Sequence, residues 1–576
     1  MKRFLTAVVA LLAIAAGFVA LTLPPSHSVL SSPFDDGTIP GILHIHSTRS
    51  DGRGTIDDIA RAAAGAGLKF IVVTDHGDGT RAPDPPTYKD GVLCLDAVEI
   101  STAGGHYVAL GMPKAPYPLA GEARHVVEDV GRLGGFGIAA HPDSPKPELS
   151  WREWTAPVDG IEFVNPDTSW RQQIAPAFNS RTLLPTRLLA SRILSYPFRP
   201  AESIASLIQP TRILERWAEL ARRRRVVIIA GADAHARIGL RLGDASSDVA
   251  GLSLPIPSYD SLFRSMSVRV RPEQALTGDA AADAALVLRA IRDGHLYTAL
   301  DGAATPPAFV FTAANASGTV YAGDRLPAGG PVTLHVRSNA PPSFTTAIWN
   351  GATLLSGDHH EQDFTVMAPG GAGVYRVEIR SSAPLSAPWI TSNPIYVGLP
   401  EPSPASAQRP PAGQQQLLIG PTARTSWRVE HDPTSLAAMD ILATAPGSNG
   451  TSGSQARLRF GLSTGAAAGQ YAALVVDLMN GLGSNDRVTF KARAEQPMRM
   501  FVQFRSDRGW WQQSVYVDTV DQERTVYVDD LTLAGGVGTE TPPRAEIRNI
   551  LFVVDAISTK PGTSGRVWIA EPRLER

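Results

Sequence analysis

Thiol is almost absent from this chain. Its 576 residues include a single cysteine, Cys94, so no internal disulfide can form and no thiolate cluster can hold a metal. Cys94 lies in the apolar run Val92–Ala97 and reads as a buried structural thiol rather than a nucleophile. Excess charge is absent too. The formal net charge is −2, so no global basic field draws in nucleic acid or an anionic membrane. A small phosphorylated substrate stays compatible, because a metal site supplies its own positive charge. Turn formers, in contrast, are plentiful: 52 glycines and 46 prolines accompany an ordinary 43% apolar content. The length calls for three or four domains, with much of the chain in β structure or loops.

The N-terminus carries an apolar segment. Lys2 and Arg3 precede Phe4–Leu23, an uncharged run, and Pro24 and Pro25 stop it. About 20 apolar residues span a bilayer, and a positive flank keeps its own side inside. No cysteine follows for a lipoprotein anchor, and Ala13–Ile14–Ala15 lies too deep in the run for a good cleavage site. Residues 1–25 therefore read as a membrane anchor or a long signal peptide. Both place the rest at the periplasmic or extracellular face, anchored in the inner membrane if uncleaved.

Beyond Pro40, apolar strands alternate with helical stretches, the pattern of a βα barrel or a doubly wound sheet. The strands are Gly41–His46, Phe70–Thr74, Leu93–Ile100, His106–Leu110, Phe136–Ala140, Gly160–Val164 and Val226–Ala230. Thr55 and Asp58 cap a helix over Thr55–Gly67, with Ile56, Ile59, Ala60 and Ala63 on one face. In such folds, chemistry collects at the C-terminal strand ends. Six of the 13 histidines fall on strand ends: His44, His46, His76, His106, His141 and His235. In the stretch GILHIHSTRSDG, His44 and His46 share a strand face and Asp51 follows beside a glycine. Asp75 precedes His76, Glu99 ends a strand, and Asp233 precedes His235. Core histidines would scatter, so the shared ends argue for one polar cluster. Nitrogen and oxygen donors without thiolate suit zinc, manganese or iron.

In this order, H-x-H with S-D-G, T-D-H, E followed by G-H, A-H-P and D-x-H resemble the PHP (polymerase and histidinol phosphatase) superfamily. The resemblance covers residues 38–302, and Ala290–Asp301, AIRDGHLYTALD, is similar to the segment closing the catalytic part of an exported branch. It implies a distorted seven-stranded βα barrel with three divalent ions. One ion would take His44, His46, Glu99 and Asp233, with Glu99 bridging to a second that adds His106 and His141. Asp51, His76 and His235 would take the third. Catalysis would run through a metal-bridging hydroxide held by His44, His46, Glu99 and Asp233. Arg237 contacts a phosphate or is simply solvated. Glu162 and Asn165 orient ligands or are polar loop residues, and Asp75 supports its neighbours rather than binding metal. Arg49 and Arg53 have no assignment.

Residues 166–222 interrupt the barrel as a lid or as ordinary decoration, with helices expected over Leu183–Ser195, Glu202–Ile208 and Pro210–Ala221. From Pro306 the period changes to two. Val332–Arg337 and Thr345–Trp349 alternate, and Asn350–Gly351 signals a hairpin. Residues 303–399 read as an Ig-like β-sandwich, 400–416 as a Pro/Ser/Gln linker, and 417–576 as a unit similar to jelly-roll, galactose-binding-like modules. Trp510–Trp511 offers a sugar-stacking face or simply fills the core. The expectation is an exported metal-dependent hydrolase, a phosphoesterase first, acting on a small-molecule or phosphorylated substrate. The alternatives at the same site are a carbamate, amide or ester hydrolase, or a 5'-3' exonuclease-type nuclease. From another class comes an envelope glycan-binding protein with the barrel as scaffold.

Overall fold

A computed structural model describes residues 2–179, 184–209, 212–240, 252–254, 256–368, 371–382, 385–399, 413, 415–420, 423–443, 453–465, 469–537 and 541–576. Two compact units emerge. The first comprises residues 1–78, 82–113 and 122–404, the second 79–81, 114–121 and 405–576.

Two sheets frame the first unit's early half. One carries Ser267–Val270, Ile39–Ile45, Phe70–Val73 and Val92–Asp96 side by side; the other carries Val98–Thr102, Gly105–Leu110, Phe136–Ala139, Gly160–Val164 and Val227–Ala230. Backbone hydrogen bonds stitch them at both edges. Ala234 N donates to His44 O at 3.1 Å, and Ala232 N to Leu43 O at 2.9 Å. On the other side, Glu99 N donates to Asp75 O at 3.2 Å and Gly77 N to Glu99 O at 3.1 Å. Strands Phe70–Val73, Phe136–Ala139 and Val227–Ala230 are buried throughout, as strands covered on both faces must be, which is why they read as unbroken apolar runs. The helix Ile56–Gly65 forms as its sequence dictates: Thr55 and Asp58 make a reciprocal capping box, and Ile59, Ala60 and Ala63 are buried.

Strand direction matters for the site. Gly105–Leu110 runs antiparallel to both its neighbours. Its N-terminal end therefore lies level with the C-terminal ends of the parallel strands, and His106 reaches the same edge by opening a strand rather than closing one. The expected strand Leu93–Ile100 is two strands, Val92–Asp96 and Val98–Thr102. The chain passes at Ala97 from one sheet to the other, and both halves are apolar, so the pattern hides the break. The insert holds four helices, Pro166–Asn179, Leu184–Ser195, Pro200–Leu207 and Ile213–Ala221. The first was not expected. Asn165 starts it, its Oδ1 accepting Thr168 N at 2.9 Å, with proline next, a strong helix-start pair. Leu183 and Pro210 lie outside the described residues.

One sheet crosses the expected boundary at 302/303. Leu296–Ala299 pairs with Ile390–Ser392, Tyr297 lying opposite Ser392. Thr345–Asn350 and Gly373–Arg380 extend that sheet, and Phe309–Asn315, Val332–Ser338 and Asp363–Ala368 build a second one. Phe311, Leu334, Val336, Ile348, Val377 and Trp389 fill the space between them. Asn393 fixes this half to the strand Val227–Ala230. Its Oδ1 accepts Ile228 N at 2.9 Å and its Nδ2 donates to Ile228 O at 2.8 Å.

The second unit packs two six-stranded sheets on a core that includes Leu458, Phe490, Phe504, Trp511 and Phe552. Residues 400–412 and 414 of the expected linker lie outside the described residues; its last residues join the strand Gln415–Leu417, paired with Ser564–Glu575. At the N-terminus, Lys2–Thr22 is one helix, long and apolar enough to cross a membrane.

Asn393→Ala strands the buried N–H and C=O of Ile228, at about 1–3 kcal/mol each. The expected outcome is a lower Tm with early amide exchange over 227–230, measured by calorimetry and hydrogen exchange. An unchanged Tm would contradict the docking role.

Candidate metal centre

The nine expected ligands lie at one edge of the two sheets, around Glu99. This carboxylate is 1% exposed. Its Oε2 is 3.2 Å from each of His44 Nε2, His46 Nε2 and His76 Nδ1. Its Oε1 is 2.7 Å from His106 Nδ1 and 2.9 Å from His141 Nε2. Five imidazoles thus face one carboxylate. Asp233 Oδ1 forms a second focus, 3.6 Å from His44 Nε2 and 3.4 Å from His46 Nε2. Asp51 Oδ1 forms a third, 3.2 Å from His235 Nε2, 3.6 Å from His46 Nδ1 and 3.8 Å from His76 Nε2.

Donor atoms converge in four overlapping groups: His44, His46 and Asp233; His44, Glu99 and His141; His76, Glu99 and His106; and His46, Asp51, His76 and His235. These do not partition as the family pattern does: His44 also meets His141, and His46 also meets Asp51. The donor set nevertheless fits divalent cations. Buried His44 Nε2, His46 Nε2, Glu99 Oε2 and His141 Nδ1 have no hydrogen-bond partner, and an orphaned buried polar group costs about 1–3 kcal/mol. Divalent cations seated in these groups would give His44 Nε2, His46 Nε2 and Glu99 Oε2 the partner they lack.

The backbone is bent to make this set. His44 (φ 63°), His141 (φ 27°) and Asp233 (φ 48°) adopt left-handed conformations without being glycine, a strained choice that clusters at functional sites. At His44 the pairing with Phe70–Val73 slips by one residue between Leu43 and Ile45. Regular alternation along a strand is therefore not what sets the H-x-H pair: His44 sits on a bulge and His46 lies just past the strand end, a re-aiming that bulges commonly provide.

Other side chains hold the ligands in place. Glu162 Oε1 lies 2.5 Å from His44 Nδ1, and Glu162 Oε2 accepts His141 N at 2.8 Å. Asn165 Nδ2 donates to Glu162 Oε2 at 3.2 Å. Glycine at 231 is required, since a Cβ there would sit 1.9 Å from Glu162 Oε1. Asp75 does not face the ligand atoms; its Oδ1 accepts Ser47 N at 2.7 Å and Ser50 Oγ at 2.6 Å, and its Oδ2 accepts Ser47 Oγ. Tyr259, 213 residues from His46, donates to His46 O at 2.6 Å and accepts Gly54 N at 3.2 Å. Sequence gave no sign of Tyr259, because nothing local marks a hydroxyl that anchors a loop so far away. Arg237 donates to Asp51 Oδ2 at 3.1 Å, and Arg49 pairs with Asp84.

The electrostatics favour cations. Burial alone would lower the His44 imidazole, but Glu162, Glu99 and Asp233 outweigh it and hold it well above its ordinary value. Against the same burial, Asp233 and Glu99 raise His46 to about 9, and Glu99 lifts His141. Burial would raise Glu99 and Asp233, yet the surrounding histidines keep both well below the usual carboxylate range. His76 shifts the other way: burial lowers it more than Glu99 raises it. Cys94 lies apart, a buried thiol pushed up to about 11 by desolvation.

No protein-family model matches this sequence, and the search of curated proteins returns no match. Among solved structures, a two-domain protein from Bacteroides vulgatus containing a predicted PHP-like metal-dependent phosphoesterase is similar over 64% of this chain and 99% of its own, at 14% identity and a TM-score of 0.29. The family 11 carbohydrate-binding module of the Clostridium thermocellum cellulosomal cellulase Lic26A-Cel5E is similar over 28% of this chain and 95% of its own, at 15% identity and a TM-score of 0.23. An exo-beta-agarase is similar over 25% of this chain and 23% of its own, at 12% identity and a TM-score of 0.20.

Proposed function

We propose that this protein is an exported metal-dependent phosphoesterase whose residues 38–302 form a PHP-like α/β barrel. The observation that carries the reading is Glu99, a buried carboxylate faced by five imidazoles with its Oε2 unsatisfied. His44, His46, Glu99 and Asp233 would hold one ion, Glu99, His106 and His141 a second, and Asp51, His76 and His235 a third; the donor set suits zinc, manganese or iron. When bound, such ions supply a Lewis acid for phosphoryl oxygens and a nucleophile drawn from water near neutral pH.

The chain's own residues set the stage for that chemistry. Glu162 accepts a hydrogen bond from His44 Nδ1, which in the neutral imidazole would leave Nε2 as the lone-pair nitrogen facing the cluster. Asn165 keeps Glu162 in place. Arg237, half-exposed beside Asp51, offers a guanidinium to an anionic ester oxygen. The apolar helix Lys2–Thr22, with basic residues only at its start, supports export.

Metal analysis joined to a panel of chromogenic phosphate mono- and diesters and carboxyl esters tests this reading. The double variant His44→Ala with His46→Ala is expected to lose both its metal and its turnover. Turnover that survives in the double variant contradicts the assignment, and turnover confined to carboxyl esters moves the chemistry to acyl transfer.

The pH dependence has a defined sign. His46 is raised from about 6.5 unfolded to about 9 folded. In chelated protein its contribution to stability is complete below about pH 6.5 and is lost as pH rises to about 9. Metal needs the neutral imidazole, so stabilisation by zinc or manganese grows over the same window. Thermal melts between pH 6 and 9.5, with and without chelator, should diverge as pH rises; parallel curves would count against metal at His46.

Glycan contact by the second unit is a further reading, favoured by Trp510. Its ring lies across the backbone of Gly535, where a Cβ would sit 2.2 Å from it, and the side chain is 39% exposed. Trp511 points into the core instead. Alongside Trp510 runs a polar row, in which Asn549 Nδ2 donates to Asp477 Oδ1 at 2.6 Å and Ser426 Oγ to Asp477 Oδ2 at 2.9 Å. A flat apolar face beside fixed polar groups suits a sugar ring. On a glycan array, the full-length protein should give signal that Trp510→Ala reduces tenfold or more and Trp510→Phe largely retains. Equal signal from wild type and Trp510→Ala would remove the reading.

A further inference from the structure

A cavity of about 80 Å³ opens beside Asp233 and His235. Trp170, Ile193, Tyr196, Ile204 and Leu207 of the insert form its wall, and Ile256 and Leu262 complete it. At about 10–15 Å³ of accessible volume per water, the space holds roughly five to eight waters, the size of one aromatic ring or a short alkyl chain. The wall is mainly apolar, which an aqueous passage to a cluster of histidines and carboxylates does not need. It suits the organic part of a substrate whose reacting end lies at the cluster.

Among the cavity's charged groups, one has no carboxylate counterpart among the described residues. Asp167 pairs with Arg171 and Arg237 with Asp51. Arg192 also lines the cavity, and among the described residues no carboxylate pairs with it. Burial lowers its guanidinium. An unpaired cation on an apolar wall is costly unless an anion reaches it.

We infer that the insert selects a phosphoester whose organic group is an apolar ring or short chain bearing a second negative charge: the ring packs on Trp170 and Ile193, and the charge meets Arg192. This rests on the phosphoesterase reading for the reacting end. It assigns the insert the role of a specificity wall rather than surface decoration.

The test separates binding from turnover. Calorimetry on full-length, metal-loaded protein compares methylphosphonate, phenylphosphonate and 4-phosphonobenzoate, which carry no scissile ester. Phenylphosphonate is expected to bind at least tenfold tighter than methylphosphonate, the scale of an apolar-pocket contact, and 4-phosphonobenzoate several-fold tighter again. Trp170→Ala and Ile193→Asp should each bring phenyl- and methylphosphonate to within about threefold. Ile193 is 45% exposed, so its substitution leaves the fold standing. Arg192→Gln should abolish only the advantage of the second charge. Equal affinities for the three ligands in wild type, or a preference that the variants leave intact, overturns the inference. Phosphate release from methyl, phenyl and 4-carboxyphenyl phosphate, and p-nitrophenol release from their p-nitrophenyl diesters, then report turnover. Ring selectivity without any turnover overturns the phosphoesterase reading while the specificity wall stands, and turnover without selectivity does the reverse.

Discussion

Glu99 is the constraint on which the rest of the first unit depends. A carboxylate that is 1% exposed is expensive to bury unless opposite charge and hydrogen bonds surround it. Among the described residues the compensation comes from imidazoles, two on Oε1 and three facing Oε2. Without a cation, the site is neutralised by protons held on His44, His46 and His141, whose pKa values all rise. With a cation, those protons must leave. The same residues could thus serve two charge states, protonated without a cation and neutral with one.

That frame accounts for several irregularities elsewhere. Left-handed residues at His44, His141 and Asp233 cost on the order of 1–3 kcal/mol each. They persist because both sheet edges are stitched beside them and because Glu162, Gly231 and Tyr259 fix the loops from behind. The reversed strand Gly105–Leu110 brings His106 to the ligand edge. The sandwich half supports the strand leading to Asp233 through Asn393, and Tyr396 Oη accepts Val226 N at 3.0 Å just ahead of it. A residue far from the ligands in sequence therefore holds one of the site's own strands.

Much of this site was legible in the chain itself. Histidines and carboxylates at the ends of apolar runs marked the edge, and the order of motifs linked Glu99 to His141 and Asp233 across more than a hundred residues. The capping box at Thr55 and Asp58 was equally readable, since its signal is local. Other features were hidden for physical reasons. The division at Ala97 joins two apolar stretches with no turn residue between them. At His44 the strand carries a bulge, so regular alternation is the wrong geometric reason for the two histidines lying together. The helix Pro166–Asn179 is signalled only by its cap pair, and its polar sequence masks the helical period. Tyr259 and Asn393 act on backbone atoms of distant strands, and no local pattern encodes such partners. The sheet shared by Leu296–Ala299 and Ile390–Ser392 likewise depends on pairing across some ninety residues.

The central claim is that Glu99 is the shared anchor of a multinuclear centre. Metal-to-protein stoichiometry by native mass spectrometry, for wild type and Glu99→Gln, tests it most directly. The account predicts up to three divalent ions in wild type and the loss of at least two in Glu99→Gln, with the secondary structure by circular dichroism unchanged. Wild-type protein that takes up no divalent ion, or a Glu99→Gln variant that retains the full complement, would contradict it.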